Sequence, residues 1–118
     1  MPFGKTIKKH VSEPWFSLIK RGIKTSEGRL NTGDFGALEA GDKIEFFTSD
    51  VNKKPFIATV TSTCVYATFD AMLRGEKLKH TLPIAEVKTY ADGVAVYRQF
   101  YSEAKERQFG VIAIRLAV

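Results

Sequence analysis

Residues 22–29 read GIKTSEGR and place a lysine, a carboxylate and an arginine, Lys24, Glu27 and Arg29, between an apolar stretch and a glycine-rich one. If 24–30 runs as a strand, alternation puts Thr25, Glu27 and Arg29 on one face, where Glu27 and Arg29 form a charge-assisted pair. Lys24 falls just after Gly22, where regular alternation has not begun, and its long stem can bring the amine round to the same cleft. Arg29 offers a planar fork for a phosphate or a base carbonyl. Lys24 adds a point charge, and Glu27 accepts from an exocyclic amine while orienting Arg29. An ion pair on an open surface stabilises by only about 0–1 kcal/mol, which makes a purely structural octet the weaker account. Catalysis asks for more, because a lysine acting as base or nucleophile near neutral pH needs its pKa lowered by roughly three units. Arg29 pushes that way and Glu27 opposes it. Ligand binding is therefore the first assignment, with Lys24 and Glu27 as the catalytic pair of the alternative.

The surrounding sequence supplies elements to hold these groups. Thr6–Val11 reads as a first strand. Ser12–Gly22 reads as a helix capped by Ser12 or Glu13, with Pro14 in the first turn, Gly22 as the stop, and Trp15, Leu18, Ile19 and Ile23 toward the core. The octet resumes as a strand, and residues 31–42 form a loop with three glycines. KIEFFTSD and PFIATVTSTCVYA read as a hairpin joined by VNKK. TFDAMLRGEKLK reads as a helix capped by Thr68 and broken at Gly75, and Val94–Tyr101 as a short helix. SEAKERQ reads as a charged link, and FGVIAIRLAV as a buried closing strand. Five to six mostly antiparallel strands in 118 residues favour an α+β fold, a small β-barrel with helices across its ends.

The octet fits the signature G-x-K-x-x-E-x-R through Gly22, Lys24, Glu27 and Arg29, and with EPWFSLIKRG before it, Gly41-Asp42 leading a strand and the closing QFGVIAIRL, the chain resembles the ASCH domain family of the PUA-like superfamily. The resemblance spans nearly all of residues 1–118 as one domain. It implies a PUA-like barrel with a cleft between barrel and helices that binds RNA or a modified nucleoside. Some members of the family are similar to an amidohydrolase acting on N4-acetylcytidine, and one is a ribonuclease. In the amidohydrolase pattern a lysine, a threonine three positions later and a downstream glutamate carry the reaction. Lys24 matches the lysine, Glu27 stands where the threonine would be, and Glu76 is the candidate for the glutamate. A metal-assisted ribonuclease using carboxylates such as Glu27, and a protein-interaction domain, are the further readings.

The net charge of +5 favours a polyanionic partner. Lys5, Lys8, Lys9 and His10, with Lys20 and Arg21, form a basic apron beside the cleft, and Lys8 and Lys9 are its RNA-binding candidates. Trp15 reads as core, with Tyr66 and Phe35 as alternative platforms for stacking a base. One cysteine, Cys64, forms no internal disulfide and reads as a small core hydrophobe. No His/Cys spacing resembles a zinc site, and the glycine-rich loop matches neither the P-loop nor the dinucleotide fingerprint, so no metal and no cofactor are expected. Without an apolar run of roughly 20 residues or a signal-type leader, a soluble cytoplasmic protein with no membrane partner is expected.

Overall fold

The computed structural model describes residues 4–118. Five strands form one mixed sheet: β1 (Thr6–His10), β2 (Ser26–Leu30), β3 (Lys43–Phe47), β4 (Phe56–Tyr66) and β5 (Val111–Ala117), in the order β1-β3-β4-β5-β2. β1 lies parallel to β3 and the other three pairings are antiparallel. The sheet curls into a half-barrel, with β1 and β2 as its two edges. A shift in register between Val60 and Ser62 interrupts the long pairing of β4 with β5, the kind of irregularity that bends a strand.

β5 explains its own composition. Ile112 and Ile114 pack into a core with Phe16, Ile19 and Phe46, while Val111 and Ala113 pack into a second core with Phe69 and Met72. A strand covered on both faces reads as a continuous apolar run rather than an alternating one. The first core lies under α1 (Trp15–Lys20) and the second under α3 (Phe69–Glu76) and α5 (Tyr90–Arg98). Short helices α2 (Gly33–Gly36) and α4 (Leu78–Thr81), and α6 (Glu103–Phe109), complete the order. No helix among the described residues is long and apolar enough to cross a membrane.

Several local expectations need correction. In α1 the buried residues are Phe16 and Ile19, whereas Leu18 is half-buried and Ile23 exposed. Pro14 itself stands at the N-cap, and the Glu13 carboxylate accepts from the Ser17 amide at 2.9 Å. Gly75 does not break α3, which continues to Glu76. A Cβ on Gly75 would come within 2.5 Å of the Tyr66 hydroxyl, so glycine serves the close approach of an aromatic ring. The charged link is helix α6, started by Ser102 accepting from the Lys105 amide at 3.2 Å. Its Glu106 is buried, accepting from the Phe69 amide at 2.7 Å and from Arg98 at 2.7 Å, and so ties α6 to α3 and α5. Part of the glycine-rich loop is α2, and β3 ends at Phe47 rather than Asp50. Cys64 is half-buried on β4 rather than in the core.

Candidate functional site

A curled sheet that does not close leaves a seam between its edges. Here a cavity of ≈ 260 Å³ takes in His10 and Val11 at the end of β1 and Glu27, Gly28 and Arg29 on β2, with walls from Trp15 of α1 and from Tyr97, Phe100 and Tyr101 in and after α5. The edge strand β2 presents backbone groups to this seam, and buried backbone groups need partners. Lys24 provides one: its ammonium donates to the Ser26 carbonyl at 2.9 Å and to the Thr81 carbonyl at the end of α4.

Lys24 is 2% exposed and Glu27 5%. The Lys24 Nζ lies 3.7 Å from Glu27 Oε1 and 5.5 Å from the centre of the Trp15 ring. Arg29 Nη2 donates to the other carboxylate oxygen, Oε2, at 3.4 Å, and the guanidinium lies 4.5 Å from the Phe35 ring centre. One carboxylate thus sits between two cations, with both of its oxygens engaged. Burial pushes the Lys24 ammonium below the usual lysine value, Glu27 opposing and Arg29 reinforcing the shift. Burial alone would raise the Glu27 carboxyl, but Lys24 and Arg29 together hold it below the usual range.

The octet's odd and even positions diverge as alternation predicts. Glu27 and Arg29 turn to the seam, while Ser26 points to the other side of β2 and donates to Glu76 Oε1 at 3.0 Å. Lys24 precedes the strand, which begins only at Ser26, and its stem carries the amine to Glu27. Gly28 is required by close packing: a Cβ there would meet Met72 Sδ at 2.7 Å and the Tyr97 hydroxyl at 2.9 Å. That hydroxyl is buried beside the cavity wall and has no hydrogen-bond partner among the described residues.

The remaining candidates are distributed elsewhere. Glu76 belongs to a separate cluster on the far side of β2. Arg115 grips it through two bonds of 3.0 and 2.7 Å, and Tyr66 donates to it at 2.6 Å. Neither Tyr66 nor Glu76 lines the cavity. Lys8 lies on β1 beside Glu45 at 3.6 Å, outside the cavity lining. Lys9 pairs with Asp34 at 3.0 Å and sits 5.0 Å from the same Phe35 ring that Arg29 covers. Lys5 is paired with Asp42 at 2.9 Å and lies outside the cavity lining. Trp15, expected in the core, is half-buried and forms a cavity wall. Tyr97, Phe100 and Tyr101 were not legible as site residues. Their segment, GVAVYRQFYS, shows only a β-branched and aromatic run about seventy residues beyond the octet. Among the described residues no group of three or more His, Cys, Asp or Glu side chains is placed to hold a metal ion.

A curled, mostly antiparallel sheet with helices packed on it and a buried ion cluster in its open seam defines an α+β fold of the PUA-like class. The chain belongs to the ASCH domain family, whose family model matches residues 10–118. It is similar to the crystal structure of hypothetical protein PH0355, with 37% identity over 95% of this chain and 96% of that one and a TM-score of 0.81. The solution structure of protein PF0455 from Pyrococcus furiosus is similar at 35% identity over 95% and 94% of the two chains, with a TM-score of 0.73. A mutant of ZmASCH from Zymomonas mobilis shares the fold at 14% identity, covering 100% of this chain and 71% of that one with a TM-score of 0.59. A comparison with curated proteins finds no match.

Proposed function

We propose that the seam is a binding site for a nucleobase, carried by RNA or by a modified nucleoside. The observation that carries this reading is the convergence in one cavity of a buried ammonium, a carboxylate and a guanidinium with the aromatic walls of Trp15, Tyr97 and Tyr101. Few classes of ligand answer all of these at once. A base is flat, presents donors and acceptors along one edge and stacks on aromatic rings. Glu27 accepts from an exocyclic amine, Arg29 and Lys24 donate to carbonyl oxygens or phosphate, and Tyr97 supplies a hydroxyl that has no other partner among the described residues. Membership of a family associated with RNA binding supports the same reading.

One observation favours a second reading, hydrolysis of an acyl group from N4 of cytidine. Two of the Lys24 amine's positions are taken by backbone carbonyls. A neutral amine would keep both of those bonds and turn its lone pair toward a substrate in the cavity, away from the Glu27 carboxylate, whose charge favours the protonated amine. Water would then add across the amide C–N bond to give a carboxylic acid and cytidine, with Glu27 in place of the threonine of the amidohydrolase pattern. The two readings separate by chromatography of N4-acetylcytidine incubated with the protein. Binding without release of cytidine is expected, while turnover that disappears in Lys24→Ala would establish the hydrolase. For RNA, affinity is expected to fall as salt rises. The slope of log affinity against log salt should shrink by about 0.7–1 in Arg29→Ala if Arg29 meets a phosphate, and an unchanged slope would remove Arg29 from that role.

A further inference from the structure

The two carbonyls that hold the Lys24 ammonium belong to different elements, Ser26 at the first residue of β2 and Thr81 at the last residue of α4. Where the ammonium sits beside Glu27 therefore depends on how α4 lies against the start of β2. Sheet pairing fixes only one of the two. Ser26 lies opposite Arg115 in the ladder of β2 and β5, whereas α4 is a single turn of four residues, and a helix that short has little stability of its own.

One side chain ties down both. Glu76, the last residue of α3, is buried, and its carboxylate accepts from the Ser26 hydroxyl at 3.0 Å and from Arg115 at 3.0 and 2.7 Å. It thus grips both members of the pair at which β2 starts. In the other direction Lys77 alone separates Glu76 from α4. Lys77 has a φ of 79°, a conformation that residues with a side chain adopt rarely and keep only where the surroundings dictate it. A further stitch joins the same segments, the Thr25 amide donating to the His80 carbonyl at 3.0 Å.

We propose that Glu76 is a positioning residue for the seam, acting from the opposite face of β2. It fixes the spacing of the Ser26 and Thr81 carbonyls, and through them the ammonium that a ligand in the cavity meets. Glu76 itself does not line the cavity. The effect on ligands rests on the nucleobase reading, whereas the hold on Lys24 does not.

Two readouts separate these on the wild-type chain, Ser26→Ala and Glu76→Gln. Asp42→Asn serves as the control for general loosening, since that buried carboxylate bonds instead to Lys5 and Glu39. The first readout is acetylation of Lys24 by acetic anhydride relative to the exposed Lys20, followed by mass spectrometry. Relative labelling of Lys24 is expected to rise about tenfold in Ser26→Ala and in Glu76→Gln, the equivalent of one lost hydrogen bond to a charged group, and to stay at the wild-type level in Asp42→Asn. Ser26→Ala removes one hydroxyl and keeps the pair of Glu76 with Arg115, so it decides the matter even where Glu76→Gln lowers stability too far. The second readout is Trp15 fluorescence during titration with the four nucleosides and N4-acetylcytidine. Whichever of these binds the wild-type chain should bind about tenfold more weakly to Ser26→Ala, for the same lost bond. Unchanged labelling in both variants, an equal rise in Asp42→Asn, or unchanged affinity while Lys24 becomes reactive would overturn the positioning role. Failure of every nucleoside to bind the wild-type chain would overturn the nucleobase reading alone, because acetylation reports on Lys24 without a ligand.

Discussion

Glu27→Ala is expected to lower the free energy of unfolding by about 3–5 kcal/mol, because it leaves a buried ammonium without its carboxylate. Lys24 is almost wholly enclosed, and its remaining partners are two carbonyls that cannot neutralise it. Arg29 adds less to the loss, since it is half-buried and can turn to water. Urea unfolding of the variant measures the effect. The double variant Lys24→Met with Glu27→Leu should recover only part of the lost stability, because no unpaired charge remains but the Ser26 and Thr81 carbonyls lose their donor. A loss below about 1 kcal/mol in Glu27→Ala would mean that Lys24 is already neutral in the folded protein, which would favour the hydrolase reading over ligand binding by an ammonium.

The second large effect belongs to Glu76. Its carboxylate is held at about 2 by the Arg115 guanidinium, against the opposing effect of burial, with Tyr66 and Ser26 adding to the depression. The folded-state value lies below the unfolded one, so the unfolded chain takes up the proton first as pH falls. The stabilisation is complete above about pH 5 and is lost progressively between about 4.5 and 2. It amounts to roughly 2–3 kcal/mol, allowing for the solvent access of Arg115. Glu76→Gln should therefore flatten the acid limb of a plot of stability against pH. Glu76→Ala should cost about 2–3 kcal/mol at neutral pH by leaving Arg115, Tyr66 and Ser26 without their acceptor. An acid limb identical to that of the wild-type chain would show that the Glu76 cluster does not set the low-pH stability.

The octet was legible because strand alternation and side-chain length are local properties. They predict Glu27 and Arg29 on one face, and Lys24 reaching them from outside the strand. The sheet-forming segments were legible for the same reason. What failed was what long-range packing decides. The phase of α1 turned on whether Phe16 or Leu18 faces the sheet, and both fit an apolar stripe read from one helix alone. Glu106 draws α6 into the fold through an amide and a guanidinium contributed by other helices, which hydropathy cannot register. Gly75 looked like a breaker because the ring that needs its space comes from β4. Glu76 and Tyr66, candidates for the cleft, meet each other instead, since the even-numbered face of β2 turns to α3.

A nucleobase entering the seam beside Lys24, Glu27 and Arg29 would meet a reporter that the protein itself carries. Trp15 is the only tryptophan in the chain and forms a wall of the cavity. The most direct measurement is Trp15 fluorescence during titration with nucleosides and single-stranded RNA, on the wild-type chain and Lys24→Met. Wild-type emission is expected to change saturably, with an affinity that Lys24→Met weakens at least tenfold while the variant stays folded. RNA that binds without altering Trp15, or a Lys24→Met chain that binds as tightly as wild type, would contradict nucleobase entry and move the binding surface away from the seam.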